Sequence, residues 1–338
     1  MADTLALTRR TVLFLPLVLA ACKPGGTIHR LRGETMGTAY SVVALDPAGA
    51  VRATHLQNAI DEALADVNAA MSNWDSDSEI SRFNAARTTE PVEISPALAH
   101  VMLGARDVHS RCHGCLDVTV GPLIDAWGFG SGDGKGTMPD ALAIAAARRI
   151  TGQDKLRVRP ETLQKTVPET AVYLSAIGKG YGVDRVARAV ASLGITDFMV
   201  DIGGDLYTRG KNAAGIPWQI GIERPDALDR RVQRVVGVSG RGMATSGDYR
   251  TYFERDGVRY SHIIDPDTGH PITHSTASAT VLAENAMLAD AWATALLTLG
   301  SGRGMAVARA QNLAVIFVDR TDGDFVISES PAFTELGA

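Results

Sequence analysis

The spacing of apolar residues along the chain predicts both helices and strands. Four segments carry apolar residues three or four positions apart, which is the stripe that an amphipathic helix buries. One helix is expected to begin at Ser95 and Pro96, because serine is a favoured N-cap and proline suits the first helical position. Another is expected to end at Gly194, a residue type that often follows a helix. The four predicted helices lie in 60–71, 96–105, 183–193 and 286–299.

Short β-like runs between these helices predict the strands. Asp256-Gly257 is a two-residue hairpin signal, expected to turn 252–255 back on 258–264, where His262 and Ile264 would face the same side. Strands and helices alternate irregularly, so the expected fold class is α+β, with mixed, largely antiparallel sheets and packed helices. The remaining predicted strands lie in 38–45, 196–201, 217–222, 235–239, 313–318 and 324–328.

Composition and charge narrow the class of protein. The 338 residues are 45% apolar and 21% charged, which is typical of a globular protein with one large core or two smaller ones. The formal net charge is −5 and the positive residues are scattered, so nucleic acid is not an expected partner. Residues 31–338 are expected to form one compact domain, or two intimately packed lobes, after a linker at 23–30 that contains Pro-Gly-Gly.

Residues 1–22 have the pattern of an export signal. Arg9 and Arg10 precede an apolar stretch at 12–21, which Pro16 interrupts and which is too short to span a bilayer of roughly 30 Å. The paired arginines fit either the twin-arginine route or an ordinary secretory signal. Cys22 follows Leu-Ala-Ala, as at a bacterial lipoprotein cleavage site, with ordinary cleavage nearby as the alternative. We expect a domain on the periplasmic side of the bacterial envelope, held to a membrane by a lipid anchor.

Two further cysteines, Cys112 and Cys115, are spaced C-x-x-C. Leu116 in the next position excludes the haem-attachment motif, which requires histidine there. A zinc site would need a second pair of ligands, and the sequence contains no other C-x-x-C pair. The alternatives are a local disulfide in an oxidising compartment and two cysteines that fill small apolar sites, of which the second is the commoner case.

Asp290 is the only charged residue in the apolar helix predicted at 286–299, and Thr294 lies on the same face four residues later. A buried carboxylate costs several kcal/mol without a partner, so Asp290 must have one. A hard cation such as Mg²⁺ suits a carboxylate, a hydroxyl and a carbonyl oxygen. The alternative is an arginine partner for Asp290 and a hydrogen bond from Thr294 back to its own helix.

Two other segments have residue types that suit a phosphate site and a proton acceptor. Lys179 lies among small residues in SAIGKGYGVD at 175–184, where a helix N-terminus and an ammonium group would favour an anion. The spacing matches neither common phosphate-loop motif, and an ordinary strand-to-helix turn is the alternative. His262 can accept a proton near neutral pH while Ile264 packs against a flat ligand, although a strand histidine is otherwise more often structural.

Eight segments, taken together and in order, resemble the ApbE family of FAD:protein FMN transferases. The likeness runs from about Gly33 to the C-terminus, and no single segment would be specific alone. The segments are GETMGTAY (33–40), MSNWDSDSEISRFN (71–84), LDVTVGPLIDAWGFG (116–130), SAIGKGYGVD (175–184), DIGGDLY (201–207), ATSGDY (244–249), SHIIDPDTG (261–269) and ADAWATAL (289–296).

The resemblance implies an ApbE-like, T-fold-related fold and a set of site residues. It implies that Asp290, Thr294 and the backbone carbonyl of Ala176 hold Mg²⁺, and that His262 is the general base. The implied contacts with FAD come from Met36, Trp74, Cys115, Leu116, Asp117, Lys179 and Ile264. Tyr173 departs from the family pattern, which usually has aspartate six residues before Lys179, and a phenol offers a hydrogen bond but no charge at neutral pH.

The implied reaction is phosphoryl transfer with FAD as substrate. The hydroxyl of a Thr or Ser on a partner attacks the FMN phosphorus, His262 accepts the proton, and AMP leaves. The family's partners are exported segments of membrane electron-transfer proteins, and the paired arginines resemble members tied to nitrous oxide respiration. Two alternatives are a flavin-binding carrier without chemistry, and an FAD pyrophosphatase in which water replaces the acceptor hydroxyl.

Overall fold

The computed structural model describes residues 26–130, 136–226 and 231–336, so the predicted export segment and Cys22 lie outside the described residues. Within these ranges the helices are α1 Ala53–Met71, α2 Glu79–Ala85, α3 Pro96–Arg111, α4 Gly121–Ala126, α5 Ala141–Ile150, α6 Gly178–Ser192, α7 Ala286–Ala310 and α8 Pro331–Glu335. The longer strands are β1 Thr27–Thr35, β2 Thr38–Asp46, β6 Asp197–Ile202, β7 Asp205–Arg209, β8 Trp218–Glu223, β9 Val232–Val238, β10 Arg241–Gly247, β15 Thr276–Ala283, β16 Ala314–Arg320 and β17 Phe325–Glu329. The shorter strands are β3 Val92–Glu93, β4 Leu156–Val158, β5 Thr162–Lys165, β11 Tyr252–Arg255, β12 Val258–Ser261, β13 Ile264–Asp265 and β14 His270–Pro271.

An eight-stranded sheet forms the centre of the molecule. Its order is β1-β2-β6-β7-β10-β15-β16-β17, and every neighbouring pair is antiparallel. The described residues also form four small sheets of two or three strands each. The predicted α+β class with largely antiparallel sheets is therefore confirmed.

Alternation along the strands gives the central sheet two apolar faces. Phe198 and Val200 of β6 pack with residues of α1 and α6, whereas Met199 between them packs on the opposite side with the β8–β9 hairpin and α8. Farther along the sheet, Val281 of β15 and Phe317 of β16 pack with α7 and α3. The sheet is thus a middle layer, and α6 and α7 lie side by side on its helical face.

Most predicted elements are confirmed, together with their end signals. The Ser95 side chain accepts a hydrogen bond from the Leu98 N–H at the start of α3, and Gly194 follows α6 with a φ of +84°. Asp256 and Gly257 both have positive φ in the turn between β11 and β12. Gly300, with a φ of +72°, interrupts α7, so its first part matches the helix predicted at 286–299.

Two sequence expectations are wrong in detail. The strand predicted at 258–264 stops at Ser261, because the Ile263 carbonyl accepts a hydrogen bond from the Ile272 N–H and a separate hairpin begins at Ile264. His262 and Ile264 therefore do not lie on one continuous strand. The linker expected at 23–30 ends earlier, since β1 already starts at Thr27 and pairs with β2.

None of the helices in the described ranges is both long enough and apolar enough to cross a bilayer.

Candidate functional site

Asp290 lies on α7 with only 3% of its surface exposed, and its neighbours come from the start of α6. The Gly180 N–H donates to its Oδ2 over 3.0 Å, and the Lys179 ammonium lies 4.0 Å from its Oδ1. The partner that the apolar helix required is thus the N-terminal turn of α6 and a lysine, and not an arginine. A carboxylate at a helix N-terminus is favoured by the helix dipole.

Glycine allows the close approach of the two helices at this point. A Cβ built on Gly180 would lie 2.2 Å from the carbonyl oxygen of Ala286 and 2.8 Å from the Cβ of Asp290. Both distances are shorter than van der Waals contact, so a side chain at position 180 would force α6 and α7 apart. Gly180, next to Lys179, is therefore needed for the packing of the two helices.

Negative charge accumulates around Lys179. Its ammonium forms an ion pair with Asp205 of β7, and Asp201 of β6 lies close enough to raise the pKa of Lys179 as well. Burial raises the pKa of Asp290 to about 7 and that of Asp201 to about 6, and the neighbouring charge of Asp205 adds to both shifts. Burial also raises the pKa of Asp205, against the effect of Lys179. Burial lowers the pKa of Lys179, but Asp205 and Asp290 outweigh it, so the ammonium stays charged. Three buried carboxyl groups thus surround one partly exposed ammonium group.

Thr294 lies one turn beyond Asp290 and faces strand β10. Its Oγ1 is 2.9 Å from the Oγ of Ser246, so its hydroxyl forms a hydrogen bond with β10 and not with the backbone of its own helix. It is Thr298 whose hydroxyl bonds back, to the Thr294 carbonyl. Ala176 lies in the turn at 175–177 that leads into α6, and Ile177 provides no side-chain cap for that helix. The Asp290 carboxylate thus lies against the N-terminal turn of α6, Ala176 lies in the turn just before that helix, and Thr294 follows one turn later on α7.

The segment 172–174 is hydrogen-bonded to two other segments that contain predicted FAD residues. Asn73, next to Trp74, donates to the Val172 carbonyl and accepts from the Leu174 N–H. The Tyr173 N–H donates to the Val118 carbonyl over 2.7 Å, so the stretch that follows Cys115 is also attached here. Trp74 itself is 75% exposed, which leaves its ring free to stack.

Tyr173 is held by its hydroxyl and its ring. The hydroxyl donates to Asp125 over 3.0 Å, and the ring covers Gly121, where a Cβ would lie 2.0 Å from it. Burial, followed by the charge of Asp125, raises the pKa of Tyr173 to about 12. The phenol is therefore neutral across the physiological range.

The stretch 115–117 is almost fully buried, and its polar groups organise the local backbone. The Asp117 carboxylate accepts from the N–H and hydroxyl of Thr119 and from the Gln153 N–H. Both carboxylate oxygens are thus engaged within the protein. Cys112 and Cys115 are buried free thiols, so the structure shows no disulfide between them. Burial raises the pKa of Cys115, in keeping with a packing role.

Met36 lies at the β1–β2 turn with a φ of +50°, a conformation that is uncommon for a residue other than glycine. Its side chain packs against both helical-face cores and covers Gly182 of α6. Such strain persists only where the surroundings enforce it, and it often marks a functional position. Met36 thus extends from the first hairpin toward the α6 N-terminus.

The His262 ring has a fixed orientation, and its Nε2 has no hydrogen-bond partner among the described residues. Both its backbone N–H and its Nδ1 lie 3.1 Å from the Thr251 carbonyl, which can only accept, so Nδ1 carries the proton. Burial lowers the pKa of His262 and Lys179 adds to this, whereas the Thr251 hydrogen bond and Asp248 oppose it. The ring is therefore neutral near pH 7, and Nε2 is left as an acceptor.

Ile264 packs in a separate apolar cluster with Leu123, Trp127 and Ile144, and only 5% of its surface is exposed. Phe129 joins this cluster and meets the His262 ring edge-on, with 6.5 Å between centroids. The cluster thus supports the histidine from one side. Ile264, which was predicted to pack against a flat ligand, is therefore mainly a core residue.

A cavity of about 560 Å³ lies away from these groups. Leu288 and Trp292 line it, and they project from the face of α7 opposite to Asp290 and Thr294. Arg241 and Glu284 are among its polar groups. None of the residues predicted for the site lines this cavity.

Sequence reasoning gave no role to several residues that the structure brings to the site. Asp201 and Asp205 flank the Gly203-Gly204 turn of DIGGDLY, and both glycines have positive φ. Ser246 comes from ATSGDY, and Asp184 from SAIGKGYGVD. Polar residues beside a tight glycine turn were the available signal for the β6–β7 pair.

Known proteins resemble this chain over almost its whole length. Residues 36–317 match the ApbE family model. The chain is 44% identical over 318 residues to an FAD:protein FMN transferase of Vibrio cholerae, covering 94% of this chain and 95% of the relative, and 43% identical to one of Haemophilus influenzae with 95% coverage of each. The structure of the Vibrio cholerae flavin transferase ApbE matches with a TM-score of 0.85 and 42% identity, covering 92% of this chain and 99% of that one. A flavinyl transferase ApbE structure from Pseudomonas stutzeri matches with a TM-score of 0.84 and 34% identity, covering 93% and 98%. The chain therefore belongs to the ApbE family.

Proposed function

We propose that this protein transfers the FMN half of FAD to a Thr or Ser hydroxyl of a partner protein and releases AMP. The relatives named as FAD:protein FMN transferases support the reaction class, since they align over almost the whole chain. The observation that carries the proposal is the buried Asp290, held against the N-terminal turn of α6 beside Lys179. That turn combines a helix dipole with an ammonium group, which is the environment that a pyrophosphate requires.

A magnesium ion fits the residues that are present. Asp290, the Thr294 hydroxyl and the Ala176 carbonyl are the oxygen types that Mg²⁺ binds, with water or phosphate oxygens at its other positions. Three buried carboxyl groups face the single Lys179 ammonium, and burial together with the charge of Asp205 raises the pKa of Asp290. Among the described residues no three His, Cys, Asp or Glu side chains form a ligand set, so the proposed site depends on the hydroxyl and the carbonyl. When bound, Mg²⁺ would neutralise charge that develops on the pyrophosphate.

The chain's own residues would orient FAD and move one proton. Lys179 would pair with a phosphate oxygen, and the exposed Trp74 and the Met36 side chain would contact the flavin or nucleotide. The acceptor hydroxyl oxygen forms a bond to the FMN phosphorus as the bond to the AMP oxygen breaks. His262 Nε2 accepts the hydroxyl proton, a role that suits a neutral ring whose Nδ1 is already bonded to Thr251.

Two substitutions test these roles separately. Asp290→Ala should abolish magnesium-dependent transfer, because the ion loses its only charged protein ligand. His262→Ala should leave bound FAD and metal unchanged and slow transfer by roughly 10²- to 10⁴-fold. Bound flavin, AMP release and the FMN mass added to the target would be measured together. Full transfer by Asp290→Ala would contradict the metal assignment, and loss of FAD binding in His262→Ala would contradict the base assignment.

We also propose that the domain acts on the periplasmic side of the envelope, on exported segments of membrane electron-transfer proteins. The export pattern at 1–22 and the lipoprotein-like Cys22 support this location. Cys22→Ala should release the mature protein from the membrane fraction. Identical fractionation of variant and parent would exclude the lipid anchor and leave the transferase proposal intact.

A further inference from the structure

Asp184 of α6 is a buried carboxylate that makes two hydrogen bonds to the start of α7. Its Oδ1 accepts from the Ala286 N–H over 2.8 Å, and its Oδ2 accepts from the Met287 N–H over 2.9 Å. These two N–H groups have no partner within their own helix, as at every helix start. Asn285 accepts from the next one, the Leu288 N–H, over 2.8 Å. Asp184 therefore satisfies the first two amides of the helix that carries Asp290.

The two helices cap one another. Asp184 of α6 binds the amides of α7, while Asp290 of α7 binds the Gly180 amide of α6. Gly180 and Asp184 lie one turn apart on the same face of α6, and Ala286 and Asp290 are related in the same way on α7. In one contact the carboxylate comes from α6 and in the other from α7, so the two contacts together act as a two-point clamp between the helices. A change at one contact must shift the other, because Gly180 leaves no free space between the helices.

We propose that Asp184 is a positioning residue that holds Asp290 in place for the metal and so sets the affinity of the magnesium site. This inference rests on the proposed magnesium dependence. Asp184 has no part in the chemical step and reaches the site only through α7. Its loss should therefore weaken metal binding far more than it slows catalysis at saturating metal.

Asp184→Asn and Asn285→Ala form a matched pair for the test. The first keeps the side-chain shape but loses one acceptor and the charge of the clamp, whereas the second removes a cap from the same helix start without touching α6. Three properties would be measured in the full-length protein: the Mg²⁺ concentration for half-maximal FMN transfer, Mn²⁺ binding by electron paramagnetic resonance, and hydrogen exchange of the Gly180 amide. Asp184→Glu, which retains two carboxylate oxygens, tests for partial rescue.

We expect Asp184→Asn to raise the half-maximal Mg²⁺ concentration and the Mn²⁺ dissociation constant by about 10- to 100-fold, the usual effect of losing a group that orients a metal ligand. The Gly180 amide should exchange faster in this variant, and Asn285→Ala should stay within about twofold of the parent on every measure. Equal behaviour of the two variants would overturn the proposal. If transfer by the parent is independent of Mg²⁺, the metal proposal fails by itself, and unchanged Gly180 exchange in Asp184→Asn would then overturn the clamp.

Discussion

Gly180→Ala adds one methyl group at the contact between α6 and α7. The new Cβ would lie 2.2 Å from the Ala286 carbonyl oxygen and 2.6 Å from its carbonyl carbon, and both atoms belong to backbone that cannot rotate away. Ordinary contacts begin near 3.5 Å, so the helices must separate by about 1 Å. That displacement acts on the turn whose N–H groups face Asp290.

The expected effect on stability is smaller than the effect on activity. Overpacking of this kind costs about 1–3 kcal/mol, and the better helix propensity of alanine returns up to about 1 kcal/mol. The net loss of stability is thus at most about 3 kcal/mol, which is less than the roughly 5–15 kcal/mol that keeps a typical domain folded. A displacement of 1 Å among reacting groups can reduce the rate by about 10²-fold. FMN transfer and its Mg²⁺ dependence should therefore weaken well before the fold does.

Two other glycines of the same helix provide the controls. A Cβ on Gly178 meets only Leu174 at an ordinary 3.5 Å, so Gly178→Ala should retain parental transfer and stability. A Cβ on Gly182 meets the flexible end of Met36, so Gly182→Ala should raise the KM for FAD without changing the Mg²⁺ dependence. Thermal unfolding and transfer rates at varied FAD and Mg²⁺ would be measured for all three. Gly180→Ala with the parental rate and Mg²⁺ dependence would refute this reasoning.

Three further outcomes are expected. The pKa of Asp290 near 7 means that a proton competes with the metal, so apparent Mg²⁺ affinity should fall about tenfold per unit of pH below 7, and a flat profile between pH 5.5 and 7 would contradict this. Because a raised carboxyl pKa makes the folded state bind more protons than the unfolded state, this group stabilises the metal-free protein at low pH, and its contribution is lost as pH rises from about 4 to 7. The thermal midpoint of Asp290→Asn should therefore fall less between about pH 4 and 7 than that of the parent. Equal falls in the two proteins would show that Asp290 does not contribute to this pH dependence. Tyr173→Phe removes the hydrogen bond to Asp125 and should cost about 0.5–1.5 kcal/mol in chemical unfolding, with transfer at saturating FAD unchanged.

Site residues could be predicted from the sequence where a polar residue interrupts an otherwise apolar pattern. A single aspartate in an apolar helix requires a partner whatever the fold, and Thr294 follows one turn later on the same face. The identity of that partner was not predictable, because Gly180 lies 110 residues away and only the packing of α6 on α7 joins them. Asp184 and Asp205 were missed for the same reason.

For the fold as well, features set by local sequence were predictable and those set by long-range contacts were not. Helices with one apolar face were found, and the ends marked by a local signal, the start at Ser95-Pro96 and the end before Gly194, were correct. Ends without such a signal were missed by several residues, as at α1, which was predicted from 60 and begins at Ala53. Strand β15 was missed because its first seven residues are all buried, so small residues replace the alternation that marks a half-exposed strand. The strand predicted through 264 failed because a long-range hydrogen bond from Ile272, invisible in the local pattern, redirects the chain at Ile263.

If Cys22 carries the proposed lipid, the early start of β1 limits how far from the membrane the domain can reach. Thr27 is already paired in the sheet, so a lipid on Cys22 would be only five residues away along the chain. Five residues span at most about 17 Å when fully extended. The catalytic domain would then rest close to the bilayer surface, and its acceptor hydroxyls would have to lie within about one domain diameter of the membrane. Lengthening the segment 23–26 with Gly-Ser repeats would extend that range and admit targets that stand farther out.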